Sequence, residues 1–222
     1  MRKRRVLIGW PMRDIKQYRF AIPNKVWNHN LKPIAFMIFS YLCYRHSNHL
    51  ADMISPDDVA RGTHVTISTA KKYLSVLVNT GLVSDDLSLT SNLQCGRNEK
   101  FFSLPNEIFL LKLPPSAFMV YAYLLLIEDC KTHICHPSYN TIATATGMSK
   151  NTALKSISIL LEAGLIAVEP SSYFDKRGMK WKGNNLYTIL PIHSAVSIFH
   201  QRQLRRLELD VARSSLAAQT AV

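Results

Sequence analysis

One unit is written twice along this chain, and that repetition limits its architecture more than any other feature. Sliding the sequence by 82 positions places Phe20 on Phe102, Pro23 on Pro105, Asn24 on Asn106, Leu31 on Leu113, Pro33 on Pro115, Ala35 on Ala117, Phe36 on Phe118, Met37 on Met119, Tyr41 on Tyr123 and Leu42 on Leu124. These are ten identities in the 23 positions from 20 to 42, where unrelated segments would share on the order of one or two. At an offset of 83, Ala60 falls on Ala143, Thr63 on Thr146, Thr69 on Thr152, Ala70 on Ala153, Lys72 on Lys155, Ser75 on Ser158, Leu77 on Leu160, Gly81 on Gly164 and Leu82 on Leu165. A small loop change separates the two offsets.

Each copy opens on a short alternating segment, Tyr18 to Ile22 or Phe101 to Leu104, of strand character and ending at a proline. An amphipathic helix is predicted over 33–45 or 115–128, with Pro33 and Pro115 near its first turn, where no N–H is needed. A second helix starts behind Ser55-Pro56 or Pro137-Ser138 and carries Val59-Ala60 or Ile142-Ala143 inward. After a turn at Gly62-Thr63-His64 or Thr146-Gly147-Met148 comes a third helix, N-capped by Thr66 or Ser149 and stopped by Gly81 or Gly164. Two strand-like pieces around a polar loop follow. The first loop runs Gln94 to Asn98 and returns through Lys100 to Leu104; the second runs Asp175 to Asn184 and returns through Leu186 to Leu190. Three helices and a β-ribbon, twice, predict a mainly α chain with small β wings: two tandem winged helix-turn-helix domains plus a C-terminal helix. The return strand of the first wing also serves as lead strand of the second unit, which predicts close coupling without a floppy linker.

The boundaries read as a basic N-terminal arm over 1–17, the two winged-helix units over 18–100 and 101–191, and a C-terminal helix over 192–222. Arg2, Lys3, Arg4, Arg5, Arg13 and Lys16 against Asp14 give the arm +5 of the formal net charge of +12. It reads equally as a solvated tail or a DNA-contacting arm. With a sequence pI near 9.7, the balance draws the chain towards polyanions. In the C-terminal helix, Leu204, Leu207 and Val211 share one face and Arg202, Arg205, Arg206 and Arg213 crowd the rest. The expectation is a helix packed on its own domain, with a homodimerisation helix as the alternative.

Two apolar runs, Ile34 to Tyr44 and Ala117 to Ile127, are eleven residues each, whereas a membrane span needs about 20. The four cysteines are too scattered for a disulfide framework, so reduced thiols in a soluble cytoplasmic protein are expected.

In the third helix of the second unit, Ala153, Ile157, Leu160 and Leu161 form the expected buried stripe, matched by Ala70, Leu74, Leu77 and Val78 in the first. The outward sets are Lys150, Asn151, Lys155 and Ser158, with Leu154 between them, and Ser68, Lys71, Lys72 and Ser75. Neither contains a carboxylate before the last turn. Such a face suits a major groove, where Lys and Asn address base edges and Ser or Thr bonds phosphate. The caps Thr66 and Ser149 offer a helix N-terminus to a backbone phosphate, and Thr152 lies in the same first turn. Lys176, Arg177, Lys180 and Lys182 make the second wing cationic, with Trp181 among them. Arg97 is the first wing's contribution, although residues 84–100 sum to −1. As helix faces alone these sets read equally as solvated surface; repeated in both copies with basic loops behind, they point to double-stranded DNA.

The passage from Phe101 to Pro170, FFSLPNEIF…LEAGLIAVEP, resembles the winged helix-turn-helix family widespread in Firmicute bacteria and often carried by their plasmids and integrative elements. In that family a segment like CHPSYNTIATATGMSKNTALKSI supplies the helix-turn-helix, and an LEAGLI-like ending leads into the wing. The chain is similar as well to the amino-terminal domains of plasmid replication initiators. The resemblance covers residues 100–191 well and 18–83 more loosely, with His64 where the family's turn usually has Gly. It implies DNA binding, as a transcriptional regulator or, alternatively, as a replication initiator at a plasmid or mobile-element origin.

Rival chemistries find little support. Cys130, His133, Cys135 and His136 are spaced unlike the usual zinc patterns, so no metal and no cofactor are expected, and Cys135 is expected to enter the core. There is no G-x-S-x-G, no phosphate loop ending in G-K-[ST] and no H-E-x-x-H, so the chain is not read as an enzyme. A nicking initiator would need a histidine pair beside a nucleophilic tyrosine; His133 and His136 are not so spaced, and a replication role would be non-catalytic. The third class is a winged-helix module that joins replication or transcription proteins, which the basic balance disfavours.

Overall fold

The computed structural model describes residues 18–48, 54–90, 100–174 and 177–220, with the backbone alone for 173–174, 180–182 and 215–220. Both halves share a strand, a 3-10 helix and three helices in the same order. A strand β1 (Arg19–Pro23), a 3-10 helix (Asn24–His29) and helices α1 (Pro33–Ser47), α2 (Pro56–Thr63) and α3 (Ile67–Asn79) come first. Strand β2 (Phe101–Pro105), a 3-10 helix (Asn106–Leu111) and helices α4 (Pro115–Ile127), α5 (Tyr139–Thr146) and α6 (Lys150–Glu162) follow, with β3 (Ile134–Cys135) between α4 and α5. After α6 come β4 (Ile166–Glu169), β5 (Ser172–Phe174), β6 (Lys180–Lys182), β7 (Leu186–Ile189) and a long α7 (Ile192–Thr220).

Local chemistry explains the repetition. Pro33 and Pro115 each stand at the start of their helix, where the ring removes no intrahelical bond. The hydroxyls of Ser55, Thr66, Ser138 and Ser149 each accept from the backbone N–H three residues on, satisfying a donor the helix leaves open. At the far ends, Gly81 and Gly164 take left-handed φ of 70° and 72°. The bonds Gly81 N–H to Val78 O and Leu82 N–H to Leu77 O, with their counterparts at Gly164 and Leu165, close paired Schellman motifs.

The first helix of each copy is not amphipathic, contrary to the sequence expectation. Every residue of α1 from Ala35 to Cys43 is buried, and α4 is buried from Ala117 to Tyr121 and beyond. An all-apolar helix needs cover on every side; here one side is covered by its own α2 and α3 and the other by the second copy. Phe36 meets Phe118 with ring centroids 6.2 Å apart, and Trp27 meets Tyr123 at 5.7 Å. Strands β1 and β2 pair antiparallel, and buried residues of both halves form one core cluster.

The wings differ. In the second half, β3, β7 and β4 form an antiparallel sheet in that order, and β5 pairs with β6 as a hairpin beyond it. In the first half, the expected pairing of the return strand with the segment behind α3 is not made among the described residues. That segment folds back on itself through a Val83–Leu89 bridge, tightened by Asp86 accepting from the Ser88 N–H, while β2 is taken up by β1. The expected loop around Arg97 lies outside the described residues.

Candidate nucleic-acid interface

Helices α5 and α6 make a helix-turn-helix in the second half of the chain. Gly147 ends α5 in the left-handed region, φ 63°, and its N–H reaches Ala143 O and Thr144 O. Ile142 and Ala143 face inward, Thr146 Oγ1 donates to Ile142 O at 2.6 Å, and Ala153, Ile157 and Leu160 seal α6 onto the core. The inward stripe of α6 contains Ser156 and excludes Leu161, which is 48% exposed. Leu161 sits one position beyond the arc that faces α4, so the expected burial at this place fails. In α3, Ala70, Leu74 and Leu77 are buried and Val78 only partly.

The outward face is as the sequence suggested. Ser149, Lys150, Asn151, Lys155 and Ser158 are exposed, and Thr152 is half-buried. Thr66, Ser68, Lys71, Lys72 and Ser75 are exposed in the first copy. Neither helix has an acidic residue in its first turn, and no carboxylate forms an ion pair with Lys150 or Lys155 among the described residues. Lys72 lies with its Nζ 5.9 Å from the Tyr73 ring centroid. Ser75 and Ser158 each bond back to the carbonyl four residues earlier, Lys71 O and Leu154 O. Of the wing residues, Arg177 is exposed, Lys180 and Lys182 lie on β6, and Lys176 lies outside the described residues.

A cleft runs between α5, the start of α6 and the foot of the wing, lined by Ser138, Asn140, Lys150, Gly183, Asn184 and Asn185 among others. Two hydrogen bonds fix its walls: Asn185 Nδ2 donates to Tyr139 Oη at 2.7 Å and Asn184 Nδ2 to His136 O at 3.3 Å. Asn140 and Asn184 were not singled out from sequence. Their only signal there is position, one beside the Ser138 cap and the other at the end of the wing loop.

The remaining candidates resolve otherwise. His133 Nδ1 lies 3.2 Å from Glu128 Oε2, and burial holds that carboxyl above its ordinary range, with His133 opposing. Cys135 is buried, which pushes its thiol up to about 12. No group of His, Cys, Asp and Glu suited to a metal occurs among the described residues. Among the described residues, helix α7 docks by its first four turns: Ala195 is buried and Arg202 Nη2 donates to Glu162 O, a carbonyl left open at the end of α6. Leu204, Leu207 and Val211 are 61%, 61% and 69% exposed: the helix packs on its own domain, as expected, but by the side that carries Ala195, Ile198, Phe199, Arg202 and Arg206, and Leu204 and Val211 lie on the side turned away from it.

Residues 111–166 match the helix-turn-helix domain family, a stretch that runs from the end of the second 3-10 helix through α4, α5 and α6 into β4. The chain is similar to a possible transcriptional regulator from Methanosarcina mazei Go1, with 17% identity over 55% of this chain and 98% of that one and a TM-score of 0.32, below the level at which two chains share a fold. No curated protein matches the chain. No helix among the described residues is long and apolar enough to cross a membrane.

Proposed function

We propose that the chain binds double-stranded DNA sequence-specifically and acts as a transcriptional regulator, with winged-helix units over 18–100 and 101–191. The observation that carries this is the outward face of α6, where Lys150, Asn151, Lys155 and Ser158 are exposed and Lys150 lines the cleft between the helix and the foot of the wing. The helix-turn-helix match over 111–166 supports the same reading. Helix α6 enters the major groove, its Lys and Asn address base edges, and the N-terminus at Ser149 meets a phosphate. The wing follows the backbone alongside. Helix α3 does the same with Ser68, Lys71, Lys72 and Ser75, and the two sites lie near one helical turn apart, about 10 base pairs.

Phosphate contacts make affinity fall steeply with salt, so duplex binding by fluorescence anisotropy across a salt series is the first test. A salt-insensitive or absent signal favours a protein partner instead. Lys155→Ala should weaken specific binding by about 1 kcal/mol or more, whereas Lys180→Ala should weaken binding to all sequences alike. Equal behaviour of both variants on specific and random duplexes would show that the base-reading and backbone faces are wrongly assigned. Genome-wide mapping of bound sites separates promoters from an origin, and with it regulation from replication initiation.

A further inference from the structure

The two halves of the chain are exchanged by a local two-fold axis. Ala21 and Ser103, which correspond at the 82-residue offset, are paired directly across β1 and β2. On either side the pairs swap partners: Phe20 with Leu104 on one, Ile22 with Phe102 on the other. The bonds repeat the exchange. Asn24 N–H donates to Lys100 O at 2.9 Å and Asn106 N–H to Tyr18 O at 2.8 Å. Trp27 sets its ring on Tyr123 at 5.7 Å, and its counterpart Phe109 sets its own on Tyr41 at 5.2 Å. A unit paired with itself in this way is isologous, as in a symmetric homodimer, and cannot be related by a simple translation.

The same axis governs the recognition helices. His64 and Gly147, the left-handed residues two positions before the caps of α3 and α6, each lie against the opposite half. His64 Nε2 is 3.2 Å from Phe109 O, and Gly147 shares a small cavity with Trp27 and Phe36. Both helices therefore start beside the shared interface, and the axis brings their N-termini to equal height along it. A duplex laid across the axis meets them equally. Because duplex DNA has two-fold symmetry of its own, two helices exchanged by a rotation read opposite strands in opposite directions.

Resting on the DNA-reading function above, we infer that one molecule of this chain reads an imperfect inverted repeat, one arm through α3 and the other through α6. The imperfection is written in the side chains. Lys72 and Lys155 correspond, as do Thr69 with Thr152 and Ser75 with Ser158, so the arms share the base pairs these residues address. Lysine selects guanine, which places a guanine in both arms. Asn151 corresponds to Ser68 and Leu154 to Lys71. Asparagine pairs bidentately with adenine while serine accepts several bases, so an adenine is fixed in the α6 arm alone.

Selection of the full chain against a random-sequence duplex library tests this. The expected motif has two inverted arms about 10 base pairs apart, bound by one chain in analytical ultracentrifugation. Reversing one arm to make a direct repeat should weaken binding about ten-fold or more, since the base contacts of that arm are lost. Lys72→Ala should erase the guanine preference in one arm and Lys155→Ala in the other; both side chains are exposed, so folding is spared. Equal affinity for the reversed duplex, a motif with a single half-site, or two chains on one inverted site would each overturn the inference and leave DNA reading intact. Failure to enrich any duplex would overturn the function itself, and the inference with it.

Discussion

Gly81 and Gly164 hold the same place behind α3 and α6, yet substitution should separate them. Both carry left-handed φ, where a side chain costs about 1–2 kcal/mol. A Cβ on Gly81 meets nothing within 4 Å, whereas one on Gly164 would sit 2.7 Å from Ile198 Cδ1 of α7. Gly81→Ala should therefore lose about 1–2 kcal/mol in urea denaturation, and Gly164→Ala should lose that and more, because the end of the Ile198 side chain must leave its place against α6. Equal losses would mean that Ile198 turns aside at no cost. At this scale the sequence was legible wherever one bond decides the conformation. The caps Thr66 and Ser149 and the two glycines behave as their chemistry requires. His64 was legible only as an anomaly. Its place in the turn requires the left-handed region, which it adopts at φ 56°, and its ring spans to the carbonyl of Phe109, 45 residues away. No local pattern announces such a contact.

Between corresponding elements, small differences in capping become differences in pH response. Helix α2 opens on a full capping box: Ser55 accepts from the Asp58 N–H, and Asp58 accepts from the Ser55 N–H and hydroxyl. These bonds, with Arg61 behind them, hold the Asp58 carboxyl down from 3.8 to about 2. Helix α5 has Ser138 and Thr141 at the same places and no carboxylate. A carboxyl whose folded pKa is depressed contributes stability that is present above the unfolded value and lost as pH falls through the folded one. The stability difference between the wild-type chain and Asp58→Asn should be constant near neutrality, shrink as pH falls through 3.8 and vanish only below about 2, as measured by denaturation at stepped pH. A difference that persists in acid would assign it to the hydrogen bond alone. Element order was legible because periodicity, prolines and caps agree along both copies. What eluded the sequence was who pairs with whom. The segment Lys100 to Leu104 has strand character whichever edge it joins, and only the second copy's presence decides that β1 takes it. Likewise α1 reads as an amphipathic helix until the other half is placed against it.

For the whole molecule, the shared interface sets how the halves stand or fall together. Phe36 lies in the first half but rests on Phe118, and Trp27 rests on Tyr123, so core residues of each half finish the packing of the other. Truncating a buried phenylalanine costs about 3–5 kcal/mol, because the cavity left behind closes only in part. A loss of that size within an independent domain would melt that domain alone. Phe36 is fully buried in a cluster that runs through both halves, so its loss is shared between them. Phe36→Ala should thus shift the urea midpoints of tryptophan fluorescence and of helical circular dichroism by the same amount, in one transition. A first transition carrying only part of the helical signal, followed by an unshifted second, would show instead that the halves fold independently and merely touch. The single-transition outcome also bears on DNA reading. If α3 and α6 both read DNA as proposed, helices held at a fixed separation need no ordering on binding, whereas helices on independently mobile halves would lose part of their contact energy to that ordering.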